Sequence, residues 1–172
     1  VERKSWRVPL HPVNDLIHGR PRNGLSPRTT GSEGSIRSVT LSAVRDGEFV
    51  ADASTEKWCE PDDRADDYLV RGGDVFAVRG NGNRSLVGRV GLARQTPDPP
   101  CIYPDLLIRL RFDESLIDPL LATEIWNSSR VHDRLLARAK STNGIYKVNG
   151  KDISKHEICL LYTSDAADEG HC

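Results

Sequence analysis

The sequence predicts an α+β domain: a mixed, mostly antiparallel or irregular sheet followed by one long helix near the C-terminus. Three observations carry this expectation. Short strand-like runs separated by Gly- and Pro-bearing turns occupy residues 6–112, and a single extended helical pattern follows over 118–139. Strands and helices do not alternate as a parallel βαβ sheet requires. With 172 residues, 37% of them apolar and 28% charged, the chain has room for one domain with its own core. No run approaches the ~18 apolar residues of a membrane span.

The elements follow in order. Residues 6–10 form a short strand whose Pro9 favours a sheet edge, and Gly19 permits a turn after Asp15 to His18. Residues 20–34 mix Gly, Pro, Ser, Thr and Arg without a hydrophobic period and read as a loop. Ile36, Val39 and Leu41 sit among polar residues, and Asp46-Gly47 then turns into Glu48-Phe49-Val50, which predicts a hairpin. The acidic residues 60–67 are a loop or short helix. Gly72-Gly73-Asp74 is a tight turn opening the strand Val75-Phe76-Ala77-Val78. After the turn at Gly80-Asn81-Gly82-Asn83, residues 86–92 make a second strand and 102–112 a third. On the third, Leu106, Ile108 and Leu110 share one face, Arg109 and Arg111 the other. Asp118 is a good N-cap and Pro119 suits the first helical position; Leu121, Ile125, Val131 and Leu135 carry the helix to about Ala139. Ser141 to Gly144 is then a loop, 145–148 a short strand, and Asn149 to Ile153 a turn into a brief helix.

The chain holds no Met, so its start is expected upstream and it is read as a fragment truncated at both ends. Residues 159–169 follow, without a gap, one reading frame of the transposon-end adapter used to build sequencing libraries. Residues 159–172 are therefore set aside as an adapter-derived tail, a natural acidic tail being the alternative, and 1–158 is read as a single domain. That leaves Cys59 and Cys101, far apart and without a CxxC pattern, which speaks against a zinc site or disulfide framework and fits a reducing cytoplasm.

Charge is segregated along the chain. Residues 46–74 carry ten acids against three bases, whereas the rest of 1–158 carries 21 bases against 12 acids. Such separation suits a protein with one face toward a polyanion, although charges spread evenly over the folded surface remain the alternative.

Several stretches occur in a telling order: Trp6-x-x-x-Leu10 followed by Gly19; Tyr68-Leu69-Val70-Arg71-Gly72-Gly73-Asp74-Val75-Phe76-Ala77-Val78-Arg79; Val87-Gly88-Arg89; and Pro119 through Trp126-Asn127-Ser128-Ser129-Arg130 to Ser141, Asn149 and Ile153. Together they resemble the target recognition domain of type I restriction-modification specificity subunits. The resemblance spans nearly all of 6–158. It implies a cytoplasmic, non-catalytic module that reads one half of a split double-stranded DNA site. Methyltransferase subunits, and restriction subunits through them, would be its partners. Those partners would use S-adenosylmethionine, ATP and Mg, and this chain is expected to bind no cofactor. The same module fused into a single-chain restriction-methyltransferase, and a protein-interaction module without a DNA role, are the alternatives.

Sequence reading needs phosphate contacts for placement and base-edge contacts for discrimination. Three loops offer both. Arg20, Arg22, Asn23 and Arg28 lie in the first; a mobile solvated loop is its other reading. Arg79, Asn81, Asn83 and Arg84 lie in the second, where Arg suits guanine and Asn suits adenine, although a plain hairpin turn also favours Asn-Gly. Ser141, Thr142, Asn143, Tyr146, Lys147 and Asn149 form the third: Ser, Thr and Lys suit phosphate oxygens, and Tyr146 stacks on a base or simply packs. Arg130, Arg134 and Arg138 on the exposed side of the helix either face solvent or dock a partner subunit.

Nothing in the sequence supports an independent enzyme. There is no GxxxxGK[ST], and the Gly80 turn precedes a strand rather than a phosphate-binding helix. No Asn-Pro-Pro-aromatic methyltransferase motif is present, and His11, His18, His132, His156 and His171 lack metal-ligand spacing. Asp62, Asp63, Asp66 and Asp67 lack the mid-loop Gly and terminal Glu of a calcium loop.

Overall fold

Val75-Phe76-Ala77-Val78 is apolar at every position, the pattern of a strand covered on both faces, and all four residues are buried. This strand lies inside the largest sheet. The computed structural model describes residues 9–31 and 35–160, so Trp6, Glu33 and the tail from 161 onward lie outside the described residues. The described strands are β1 (Leu10–Pro12), β2 (Arg22–Asn23), β3 (Ile36–Val39), β4 (Val44–Arg45), β5 (Glu48–Phe49), β6 (Glu56–Cys59), β7 (Val75–Val78), β8 (Gly80–Asn81), β9 (Val90–Leu92), β10 (Leu107–Leu110), β11 (Lys140–Thr142), β12 (Ile145–Lys147) and β13 (Glu157–Cys159). The α-helices are α1 (Pro119–Asn127), α2 (Ser129–Leu136) and α3 (Gly150–Ser154).

The central sheet runs β2-β10-β7-β9-β5-β4 and is antiparallel except for the β5–β9 pair. Its two faces bury different partners. One carries Val75, Ala77, Ile108 and Leu110, covered by Ala122 and Trp126 of α1, Leu135 of α2, and Val148, Ile153 and Ile158. The other carries Phe76, Val78 and Leu107, covered by Val39, Val70 and Tyr103. There Phe76 stacks on Phe49 at 4.4 Å and tilts against Tyr103 at 4.8 Å. The α+β class and the mostly antiparallel sheet stand as expected.

Four local expectations are revised. The helix over 118–139 is split at Ser128, whose backbone is extended (ψ 142°) and whose hydroxyl donates to the Ile125 carbonyl at 2.6 Å. The Asp46-Gly47 turn does make a hairpin, but between β4 and β5; β3 pairs instead with β6, because a 3-10 turn at Leu41–Ala43 ends it. The strands expected over 86–92 and 102–112 shrink to β9 and β10. A 3-10 turn at Arg84–Leu86 precedes the first, and Ile102 makes only isolated bridges to Ser38 and Leu69. Arg22–Asn23, expected in a loop, is a short edge strand on β10. At the ends of the described chain β1 pairs with β13, Leu10 opposite Cys159, and Cys159 and Leu160 are both buried.

Candidate nucleic-acid interface

The third predicted group, expected as a loop and a lone strand, is a β-ribbon. Asn143 and Gly144 adopt φ of 51° and 75°, the left-handed pair that a two-residue type I′ turn requires. The turn sets β11 against β12 with Lys140 opposite Lys147, Ser141 opposite Tyr146 and Thr142 opposite Ile145. On its other edge β12 pairs with β8, Tyr146 opposite Asn81 and Lys147 opposite Gly80. The second and third groups therefore share one three-stranded sheet. The structure brings them together by backbone hydrogen bonds.

Residues opposed across a sheet share a face. Ser141, Tyr146 and Asn81 form one row, and half-buried Tyr146 packs onto the helix-side core. The rows Lys140–Lys147 and Thr142–Ile145 lie on the outward face, and all four of these residues are exposed. Gly80 leaves space on that face: a Cβ there would sit 3.1 Å from Cγ of Lys147.

The second group is held from behind. Arg79 donates its N–H to the Leu106 carbonyl at 2.8 Å and accepts from Val148 N–H at 2.9 Å. Asn81 Oδ1 accepts from Asn83 N–H at 2.9 Å, and Asn83 Oδ1 accepts from Ser85 N–H at 3.0 Å. Arg84 reaches the Leu136 carbonyl at 3.3 Å. Asn149 caps α3 in a reciprocal box with Asp152, so its side chain already serves the fold.

The first group disperses. Arg22 lies over the Tyr68 ring at 4.4 Å and pairs with Asp67 at 3.7 Å, on the sheet face away from the helices. Arg28 accepts from Glu60 N–H through its carbonyl and so runs beside the acidic segment. Asn23 is exposed on the sheet edge. Arg20 goes elsewhere: Pro21 lies within 4 Å of where a Cβ on Gly150 would be, and Arg20 lines an open groove of about 760 Å³ with Lys151 and Lys155. Asp15 and Glu157 also border that groove. Lys140, Lys151 and Lys155 are basic surface residues that the sequence reading did not single out; for Lys140 the signal was the alternation of 140–142 with 145–147 around Asn-Gly.

Of the helix arginines, Arg130 and Arg138 are exposed, while Arg134 donates to the Glu157 carbonyl at 2.7 Å. The neighbouring motif residues latch the helices to residues 87–90. Trp126 Nε1 donates to the Gly88 carbonyl at 2.8 Å. Asn127 accepts from Val90 N–H at 3.1 Å and donates to the Val90 carbonyl at 2.8 Å. His132 Nε2 meets the Val87 carbonyl at 2.7 Å, and Arg89 donates to the Asn127 carbonyl at 2.7 Å. Asp74, buried in the Gly-Gly-Asp turn, accepts from Arg71 N–H at 2.9 Å and pairs with Arg111 at 2.8 Å. Burial pushes the Cys101 thiol up to about 12 and raises that of Cys59 as well, so neither is a ready thiolate at neutral pH.

No protein-family model and no curated protein matches the sequence. Solved structures match the fold. The S subunit of a type I restriction-modification system from M. genitalium aligns with a TM-score of 0.57 and 15% identity, over 92% of this chain and 35% of that one. A chain from work on complex assembly and conformational transition of the type I R-M system aligns at 0.60 and 15% identity, over 91% and 39%. The HsdS subunit from Thermoanaerobacter tengcongensis aligns at 0.53 and 16% identity, over 92% and 40%. The chain thus has a fold found within type I S subunits and spans 35–40% of their length.

Proposed function

We propose that this domain recognises duplex DNA by sequence, reading one half of a bipartite site as the target recognition domain of a type I specificity subunit. One observation carries the reading: the β8–β12–β11 sheet holds the Arg79–Arg84 turn and the lysine-bearing hairpin side by side. A two-stranded ribbon fits the major groove, which is about 12 Å wide. Residues 130–157 around it carry seven bases and three acids. Arg79, Asn81, Asn83 and Arg84 supply base-edge donors and acceptors, while Ser141, Thr142, Asn143 and Lys147 supply phosphate and edge contacts. Arg20, with Lys151 and Lys155 in the groove beside α3, adds a phosphate contact. Arg22 and Arg28, committed to the acidic side, are left out of this reading.

The domain positions; it does not cut or methylate. Methyltransferase subunits, with S-adenosylmethionine, and restriction subunits, with ATP and Mg, supply the chemistry. Arg130 and Arg138 face outward from α2 and its C-terminal end, where a partner subunit docks.

Duplex binding measured from 50 to 200 mM salt tests the reading. Affinity falls steeply with salt, and Lys147→Ala reduces the log–log slope by about one. Affinity that ignores salt contradicts it. In the assembled enzyme Arg79→Ala or Asn81→Ala alters the methylated sequence or abolishes modification; unchanged site choice and rate in both removes this turn from the account.

A further inference from the structure

The outward face of the ribbon is divided by chemistry. Nearest its root Lys140 and Lys147 stand side by side, and nearest the turn Thr142 faces Ile145. Ile145 is 42% exposed, a large apolar side chain held in solvent at the end of a hairpin. Its cross-strand partner Thr142 adds a methyl of its own. Both residues are β-branched and stiff about χ1, so the methyl surface is presented in a fixed direction at little entropic cost. Rows two residues apart on one strand face are about 6.6 Å apart, so the ammonium row stands behind the methyl row as the groove wall stands behind its floor.

Resting on the DNA-reading role above, we propose that Thr142 and Ile145 form an apolar reader for the 5-methyl group of a pyrimidine in the major groove. Lys140 and Lys147 hold the flanking phosphates. A methyl against a methyl-bearing side chain is the contact by which apolar groups distinguish thymine. The lysine row behind the tip favours a polyanion over an apolar partner, because an apolar docking surface would leave two ammonium groups stranded at its border. A thymine or a 5-methylcytosine presents the same group, and the ribbon specifies the methyl rather than the base that bears it.

The test uses the full chain and duplexes selected from a randomised pool. Each thymine of the best duplex is replaced in turn by uracil, and each cytosine by 5-methylcytosine. Replacing one particular thymine by uracil weakens binding about fourfold, the value of one buried methyl. Alternatively, one 5-methylcytosine strengthens it by about as much. Ile145→Ala and Thr142→Ser each shrink that response, and Ile145→Ala leaves the uracil-bearing duplex bound as before; both positions are exposed, so neither change disturbs the core. A response that persists undiminished in both variants, or no response at any position of a selected duplex, overturns the proposal and leaves DNA reading intact. Failure to select any duplex overturns both.

Discussion

Asn127 satisfies both backbone groups of Val90 with one side-chain amide, in effect extending the sheet edge by a single residue. Asn127→Ala leaves a part-buried N–H and C=O unpaired and lowers stability by about 2 kcal/mol, read as a shifted denaturation midpoint. Exposed Asn23→Ala, the control, stays within about 0.5 kcal/mol. Gly88 has φ of 76°, and a Cβ there would stand 2.8 Å from Leu135 Cδ2, so Gly88→Ala destabilises through both strain and clash. Burial pushes His156 down to about 4, with Arg134, Arg138 and His132 adding repulsion, and burial lowers His132 too. Both imidazoles are held neutral. The contribution of His156 is whole above the unfolded pKa near 6.5 and is lost as pH falls toward 4, roughly 3 kcal/mol, and that of His132 declines in the same direction. Unfolding midpoints at pH 7.5, 5.5 and 4.5 show this decline, and His156→Phe makes it shallower. The motif residues visible in the sequence, from Gly73-Asp74 to Trp126-Asn127, are thus parts of the fold's fastening. Their roles were not legible, because a hydrogen bond between residues 38 positions apart leaves no local pattern.

At the scale of elements, turns were read more faithfully than pairings. Asp46-Gly47 makes the turn its composition predicts, and Asn143-Gly144, expected only as part of a loop, makes a turn as well, since the left-handed backbone is a local property. The partner of β3 is not local: β6 lies beyond the hairpin, and nothing in 36–41 announces it. The break at Ser128 was equally hidden, because apolar spacing continues across it while Trp126 and Asn127 bind residues 88–90. The ribbon escaped notice because Lys-Ser-Thr is not an apolar strand; it forms by pairing with Ile-Tyr-Lys across a strong turn. Shortening it by deleting 142–145 and closing 141 to 146 with Asn-Gly removes duplex binding while the thermal midpoint changes by only a few degrees. A collapse of the fold would instead show that the ribbon serves the core.

For the whole molecule, the sheet separates the two parts of the core and sets the acidic 56–67 stretch on one side of it. Glu56–Cys59 and the 3-10 turn at Ala65–Tyr68 belong to the face opposite the helices, where Tyr68 packs and Arg64 hydrogen bonds hold the Asp62 carboxyl down to about 2. The helices and α3, with Arg130, Arg138, Lys151 and Lys155, cover the other face. The acidic 56–67 stretch, with Arg22 and Arg28 beside it, thus lies away from the ribbon's lysines, and a duplex held at the ribbon is expected to leave it uncovered. Hydrogen exchange with and without a selected duplex tests this most directly. Protection on binding is expected in 79–84 and 140–149 and absent from 56–67. Protection centred on 56–67, with the ribbon exchanging as it does in the free protein, contradicts the account.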